Sequence, residues 1–423
     1  MKEFIKKLLK SEYLGNISIQ VFGTGLAQLI PIAIMPFLSR IFSEEDFALY
    51  ASFMAIVGVL SVATGARYQY AIVLPKKEAA ANNVYLISIY YTIFYAIVLQ
   101  VVAVVLYLLS VDAFHLEESI LLVPIYILFQ GLWLSVTNLS IRQKKFKRNA
   151  VAKIVQTSGN AVTTIALGLA NVSLGLVLGK LLGLIVSVVF LIKKTYSTSY
   201  RITKETFKTT SLKYIDFPKY SIIPAFLNAA STQAPVFFIG KYYTEQDLGY
   251  YGLTFMAIAG PLSIISVSFR DVFYQKMSEV FNQKKYQQLF KTYRNNAMFL
   301  FLLGMPVIII LFFFGEPLFE FIFGENWKTS GTFASLLVFS FAIKLVVSPL
   351  SIVFNIVNKL KTMSQWQIIY FISTIVMMLV SKFMLNADIM LFLKIYVVHE
   401  IILYSYYFIL QYSAVKKVNS WQE

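Results

Sequence analysis

Runs of about 20 mainly apolar residues, the length a helix needs to cross the hydrocarbon of a bilayer, recur along this chain of 423 residues. We read twelve, at 14–39, 47–66, 84–109, 119–140, 151–170, 173–192, 220–240, 248–269, 297–315, 331–357, 362–385 and 389–412. Lipid offers backbone groups no partners, so only helices and closed barrels can span it. The runs lack the ten-residue apolar-out, polar-in alternation of barrel strands, so the expected fold class is all-α and integral to the membrane. Composition agrees, with 58% hydrophobic and only 14% charged residues, against about 25% charged in soluble domains. Pro31, Pro36, Pro124, Pro224, Pro235, Pro261, Pro306 and Pro349 fall inside the runs and predict kinks rather than ends. The basic amino terminus runs into its apolar stretch with no small-residue cleavage site, which reads as an anchor rather than a removed signal peptide.

The net charge of +16, from 37 Lys and Arg against 21 Asp and Glu, could suit nucleic acid, anionic lipid or an acidic substrate. Its placement decides. Basic loops such as Arg142-Gln143-Lys144-Lys145-Phe146-Lys147-Arg148 alternate with acidic ones such as Ser43-Glu44-Glu45-Asp46. Cytoplasmic loops concentrate Lys and Arg, so an even number of spans with both termini cytoplasmic is expected, and no nucleic-acid partner.

The acidic turn recurs. Ser43-Glu44-Glu45-Asp46-Phe47-Ala48-Leu49-Tyr50 is echoed by Thr244-Glu245-Gln246-Asp247-Leu248-Gly249-Tyr250-Tyr251. Met54-Ala55-Ile56-Val57-Gly58 returns as Met256-Ala257-Ile258-Ala259-Gly260, and Arg67 has a counterpart in Arg270. A six-span repeat has both copies in one orientation, as two bundles related by an axis along the membrane normal. The expected division is an N-terminal six-helix lobe at 1–196, a cytoplasmic linker at 197–218 and a C-terminal six-helix lobe at 219–423. Facing lobes of this kind form a V-shaped cleft and suit alternating access. Within the linker, Tyr196-Ser197-Thr198-Ser199-Tyr200 fits either an interfacial amphipathic helix or a solvated tether.

Polar residues at membrane depth nominate a site. Gln20, Thr24, Gln28 and Pro31 share one helix face, and Asn228, Thr232 and Pro235 repeat the spacing. Gln156, Asn160 and Thr163 add a third polar face. Interhelical hydrogen bonding fits any one of these residues, while three such faces favour a water-filled lumen. A central charge costs about 2.5–3.5 kcal/mol on insertion scales, so Lys180, Lys344, Lys394 and Glu400 carry more information. Arg67, Arg270 and Lys344, with Gln28 and Asn228, are the expected substrate-binding residues. Glu400 either pairs with a buried cation or binds a coupling proton or sodium ion; Lys394, six residues away, is a poor partner within the helix. An excess of deep cations should attract an anion, with phosphate the expected kind on a membrane substrate. Gly175, Gly179 and Gly183 read as a helix-packing stripe.

Enzymatic signatures are missing. The chain has no cysteine and only His115 and His399, which leaves no thiolate chemistry and argues against a metal site. Neither His-Glu-x-x-His nor Gly-x-Ser-x-Gly occurs. The Gly175 to Lys180 stretch fails as a P-loop, because its glycine spacing is one short and Leu181 replaces the Ser or Thr. No cofactor and no catalytic residues are expected; the energy source would be an ion gradient or the substrate's own gradient.

Three ordered segments resemble Wzx-type polysaccharide flippases. They are Gly65-Ala66-Arg67-Tyr68-Gln69-Tyr70-Ala71-Ile72-Val73-Leu74-Pro75, then Arg142 to Lys147 with Lys153-Ile154-Val155-Gln156-Thr157, then Asp216-Phe217-Pro218-Lys219-Tyr220 continuing through Leu248-Gly249-Tyr250-Tyr251 to Pro261. The resemblance places the chain in the multidrug/oligosaccharidyl-lipid/polysaccharide flippase superfamily. It implies a twelve-helix, two-lobed flippase of a bacterial inner membrane. The substrate would be an undecaprenyl-pyrophosphate-linked sugar repeat unit, moved from the cytoplasmic to the outer leaflet for surface polysaccharide such as the O-antigen of lipopolysaccharide. Implied partners are the lipid-linked oligosaccharide, membrane lipids, and a polysaccharide polymerase and glycosyltransferases. Family members often carry an acid where this chain has Gln69, so an ion-coupling role for that acid does not transfer. Two alternatives compete: a multidrug exporter of the same superfamily, and a membrane polysaccharide polymerase or glycosyltransferase. No acid lies between Glu12 and Glu44 to bind a cationic drug, and the longest expected external loop, about 15 residues, is short for a polymerase.

Overall fold

The computed structural model describes residues 12–110, 116–195 and 203–419; the side chains of residues 12–24, 26, 117, 194, 195, 271 and 419 are not described. The basic start, His115, the Tyr196 to Tyr200 stretch and the side chains of Gln20 and Thr24 therefore lie outside the described residues. Among the described residues there are helices and no strands. In chain order they are α1 (Glu12–Ile41), α2 (Glu44–Leu60) with a 3-10 segment (Ser61–Ala71), α3 (Glu78–Leu108), α4 (Leu122–Arg142), α5 (Phe146–Leu169), α6 (Gly175–Thr195), α7 (Lys204–Lys213) and α8 (Asp216–Tyr242). There follow α9 (Glu245–Asn282), α10 (Tyr286–Phe323), α11 (Lys328–Leu350), the single turn α12 (Val353–Ile356), α13 (Leu360–Phe383) and α14 (Ile389–Asn419). The chain forms two compact units, Met1–Gln233 and Ala234–Glu423, and the division falls within α8.

Ten segments among the described residues are long and apolar enough to cross a membrane, which makes this a multi-pass membrane protein. The other two expected runs fall on α1 and α5. Of α1, Ala27–Ile41 qualifies as a shorter apolar helix. Helix α5 carries Lys153, Gln156, Asn160 and Thr163 on its length, and it packs closely against α1 and α6. Those four residues are partly buried, so protein shields this polar face from lipid in part.

The α5–α6 contact rests on the glycine stripe. A Cβ on Gly183 would stand 2.6 Å from the Asn160 nitrogen and the Gln156 carbonyl oxygen, and one on Gly179 would stand 2.0 Å from the Thr164 hydroxyl. Backbone atoms cannot swing aside, so the two helices touch only because these positions lack side chains. Gly183→Ala is expected to destabilise the protein by about 1–3 kcal/mol through overpacking. Gly159→Ala, whose Cβ meets only the Gly183 Cα at 3.5 Å, should be near neutral; thermal melts of both variants check the pair.

Both copies of the acidic turn are capping boxes. Asp46 N–H donates to Ser43 Oγ (3.3 Å) while Ser43 N–H donates to Asp46 Oδ2 (2.9 Å). Thr244 and Asp247 repeat the exchange at 3.1 and 3.2 Å. Each box satisfies orphan donors at the start of a long helix, so the repeated sequence is a repeated helix start.

After the shared start the copies diverge. The first helix breaks: Gly65, Ala66 and Arg67 adopt φ of +55°, +46° and +65°. The second, α9, runs on through Asn282 as one helix. Gly65 accounts for the difference, since glycine enters the left-handed region at little cost. The second copy has Ser268-Phe269-Arg270 at the same register, with no glycine to open the turn. The linker holds an element too: α7 is N-capped by Thr203, whose Oγ1 accepts from Thr206 N–H at 3.2 Å. It docks by the Tyr68 hydroxyl donating to the Ser211 carbonyl (3.0 Å) and by Phe207 against Tyr90 and Tyr91.

Candidate functional site

Each unit holds a deep lysine cluster, and the two are balanced differently. In the second unit Lys344 on α11 forms an ion pair with Glu400 on α14; the Glu400 side chain is 0% exposed and that of Lys344 23%. The Tyr370 hydroxyl on α13 donates to Glu400 Oε1 at 2.8 Å. Lys344 also donates to the Tyr396 hydroxyl (3.4 Å), and its ammonium lies over the Tyr396 and Tyr404 rings. His399 Nδ1 stands 4.0 Å from Glu400 Oε1, while Nε2 faces the Ser373 hydroxyl at 3.0 Å. Three helices thus neutralise one carboxylate and one ammonium with aromatic hydroxyls and π faces.

The first unit has cations without that compensation. Lys153 on α5 donates to Gln156 Oε1 at 2.7 Å and its ammonium lies 6.0 Å from the Trp133 ring centre. Lys180 on α6 hydrogen-bonds to the hydroxyl of Tyr50 on α2 and lies within charge range of Tyr126 on α4, and its charge reaches Lys153. Asn160, one turn beyond Gln156, accepts at Oδ1 from the Thr164 hydroxyl (3.0 Å). Among the described residues neither lysine forms a salt bridge to a carboxylate.

The expected site residues divide between these environments. Arg67, held in the left-handed turn, donates from Nε to the Ser221 hydroxyl on α8 (3.5 Å), with its guanidinium 4.8 Å from the Tyr70 ring centre. Gln28 is partly buried on α1, and Asn228 is exposed on α8, two turns beyond Ser221. Arg270 is exposed on α9 and Lys394 on α14. The arginines that the repeat pairs are therefore unlike: one is fixed by a strained turn, the other rides a regular helix. Glu400 has Lys344 as its buried cation, the first of the two roles open to it in the sequence. Gln69 is 1% exposed with neither side-chain atom hydrogen-bonded, and its Oε1 would lie 2.6 Å from a Cβ on Gly65.

Sequence reasoning named Lys153 only as part of a flippase-like segment and passed over Lys382. Lys153 closes a basic run that reads as a topology signal, and only its burial and the reach of the Lys180 charge distinguish it. Lys382, near the end of α13, donates to the Tyr242 carbonyl (3.3 Å) and lies over the Tyr243 ring.

The family model described as polysaccharide biosynthesis protein matches residues 37–332. No curated protein matches the sequence. Among solved structures, the lipid II flippase MurJ in an inward closed conformation is similar at TM-score 0.72 and 14% identity, over 95% of this chain and 89% of that one. An inward-facing multidrug resistance MATE family transporter of the MOP superfamily is similar at TM-score 0.65 and 13% identity, over 95% and 98%. A MOP superfamily transporter from Pyrococcus furiosus Vc1 is similar at TM-score 0.59 and 14% identity, over 94% and 96%. At such identities the likeness is one of fold, and this fold serves both drug transporters and a lipid flippase.

Proposed function

Because this chain belongs to the family of polysaccharide biosynthesis proteins, whose model matches most of its length, we propose that it flips lipid-linked oligosaccharides by alternating access. The substrate is an undecaprenyl-pyrophosphate-linked sugar repeat unit, carried from the cytoplasmic to the outer leaflet of a bacterial inner membrane for surface polysaccharide. Both termini are then cytoplasmic, and the two six-helix lobes and the 197–218 linker are the moving parts. Glycosyltransferases supply the substrate and a polymerase consumes it. Transport breaks no covalent bond of the substrate.

One observation carries the reading: Lys153 and Lys180, partly buried on the packed helices α5 and α6, lie within reach of each other's charge, and among the described residues neither has a carboxylate partner. A pyrophosphate offers the missing counter-charge, through charge-assisted hydrogen bonds about twice as strong as neutral ones. A cationic drug would be repelled from the same place. Arg67 belongs with them as an anion ligand near the membrane face, and Gln28 and Asn228 would meet the sugars. Arg270 and Lys344 are the corresponding ligands of the second unit; Lys344 reaches substrate only by leaving Glu400. Glu400, once released, is the group that would take up a coupling proton or sodium ion.

The direct test is flipping of a defined undecaprenyl-pyrophosphate oligosaccharide by the full chain in proteoliposomes. Protection of the sugar from an external lectin or oxidant at the rate of empty vesicles would reject the function. Arg67→Ala should lower the flipping rate about tenfold, as expected for losing a hydrogen bond to a charged group worth about 1.5–3 kcal/mol. Matched expression and surface polysaccharide levels provide the cellular check.

A further inference from the structure

A groove on the second unit, bounded by α10, α11 and α14, encloses about 640 Å³. Its wall is apolar along almost all its length, with Phe301, Ile308, Phe339, Val346, Ile401 and Phe408 among the residues that line it. Gly304 opens the middle, since a Cβ there would meet nothing closer than Leu345 at 3.6 Å. Lys344 and Glu400 do not line it.

One end is cationic. Arg294 lines the mouth beside Tyr412. It is exposed and, among the described residues, makes no ion pair. Lys291, three residues earlier on α10, and Lys416, four residues after Tyr412 on α14, are exposed on the faces that carry those two residues. Two helices thus converge with basic residues where the apolar channel begins.

The dimensions identify the occupant. At 1.5 Å per residue, Ile308 lies about 21 Å along α10 from Arg294. A bilayer is about 40–45 Å thick including its headgroups, so the groove is as long as one leaflet is deep, with its cations at headgroup level. We infer that this groove is a binding site for a single anionic phospholipid of the bilayer, with its phosphate on Arg294 and one acyl chain laid against Phe301, Gly304 and Ile308. The basic rim selects the anionic headgroup and the apolar wall holds the chain. The site is separate from the lysine clusters, so it stands whether or not the chain carries lipid-linked sugars.

The test uses the full chain in nanodiscs containing equal phosphatidylglycerol and phosphatidylcholine, released into native mass spectrometry. Wild type should retain one phosphatidylglycerol in preference to phosphatidylcholine. Arg294→Ala should weaken that preference about fivefold, and adding Lys291→Ala should weaken it further by a similar factor. Gly304→Leu should reduce retention of both lipids by filling the groove. Should that variant fail to fold, Phe301→Trp gives a second readout: its added fluorescence should be quenched by phosphatidylglycerol brominated on the acyl chain and recover in the Arg294→Ala background. Equal retention of the two lipids by wild type, or an unchanged preference in Arg294→Ala with Lys291→Ala, would overturn the site. Displacement of phosphatidylglycerol by an equal concentration of undecaprenyl phosphate would also overturn it, by making the groove a seat for the polyprenyl tail.

Discussion

Lys344→Met and Glu400→Gln, made singly, should each cost about 3–5 kcal/mol of stability, because each leaves its partner as an uncompensated charge in a buried site. Made together they should cost far less, since a neutral pair of similar volume replaces a pair whose desolvation penalty rivals its attraction. The coupling between the two sites in a double-mutant cycle, read from thermal melts in detergent, is the measured quantity. Additive losses would mean that the contact between Lys344 and Glu400 contributes nothing of its own. The Tyr370 hydroxyl can donate to Gln as it does to Glu400 at 2.8 Å, so the hydrogen-bonded shell survives the double change.

The same variants separate folding from ion coupling. A transport defect in Glu400→Gln that recovers in the double variant belongs to the unpaired Lys344. A defect that persists in the stable double variant belongs to the carboxylate, and flipping should then no longer respond to proton or sodium gradients. Gradient-independent flipping by the wild type would end the coupling role of Glu400.

Local chemistry was legible in the sequence, and long-range pairing was not. The acidic turns at Ser43 and Thr244 stand out in the sequence as a repeat, and the structure forms a capping box at each. The stripe at Gly179 and Gly183 likewise states its purpose by spacing alone, because only a backbone-to-backbone contact needs residues without side chains at every fourth position. Arg67 and Arg270 mark where such reasoning stops. Their alignment suggests equivalence, yet the left-handed turn at Gly65 sets one apart from the other. A single glycine decides that locally, and apolar neighbours such as Phe269 give no warning of its absence.

Glu400 shows the other limit. Its partner is 56 residues away on another helix, beyond the reach of any i, i+4 rule. Depth identified both charges as significant; only the packing of α11 against α14 could show that they meet. Lys153 was obscured for a different reason. It ends a run of basic residues whose topological meaning is sufficient by itself, and the pairing of α5 with α6 that brings Lys180 within its electrostatic reach is not visible in that run.

Lys153→Ala and Lys180→Ala should have the largest effect on transport and little on stability. Each lysine sits among neutral partners: Gln156 and Trp133 for one, Tyr50 and Tyr126 for the other. Removing either lysine strands no buried carboxylate and relieves a repulsion between like charges, so the penalty seen at Lys344 does not arise here. A pyrophosphate held by both would lose about 1.5–3 kcal/mol per lysine, or roughly tenfold in flipping rate for each and about 100-fold together if the contacts act independently. Lys153→Arg should keep part of the rate, since charge is retained while the contact to Gln156 is altered. Glycine and tyrosine variants nearby would lower rate and melting temperature together; these lysine variants should lower rate alone. Wild-type flipping by the double alanine variant would show that the first unit's unpaired cations do not hold the substrate, and the anion site would have to be sought around Arg67.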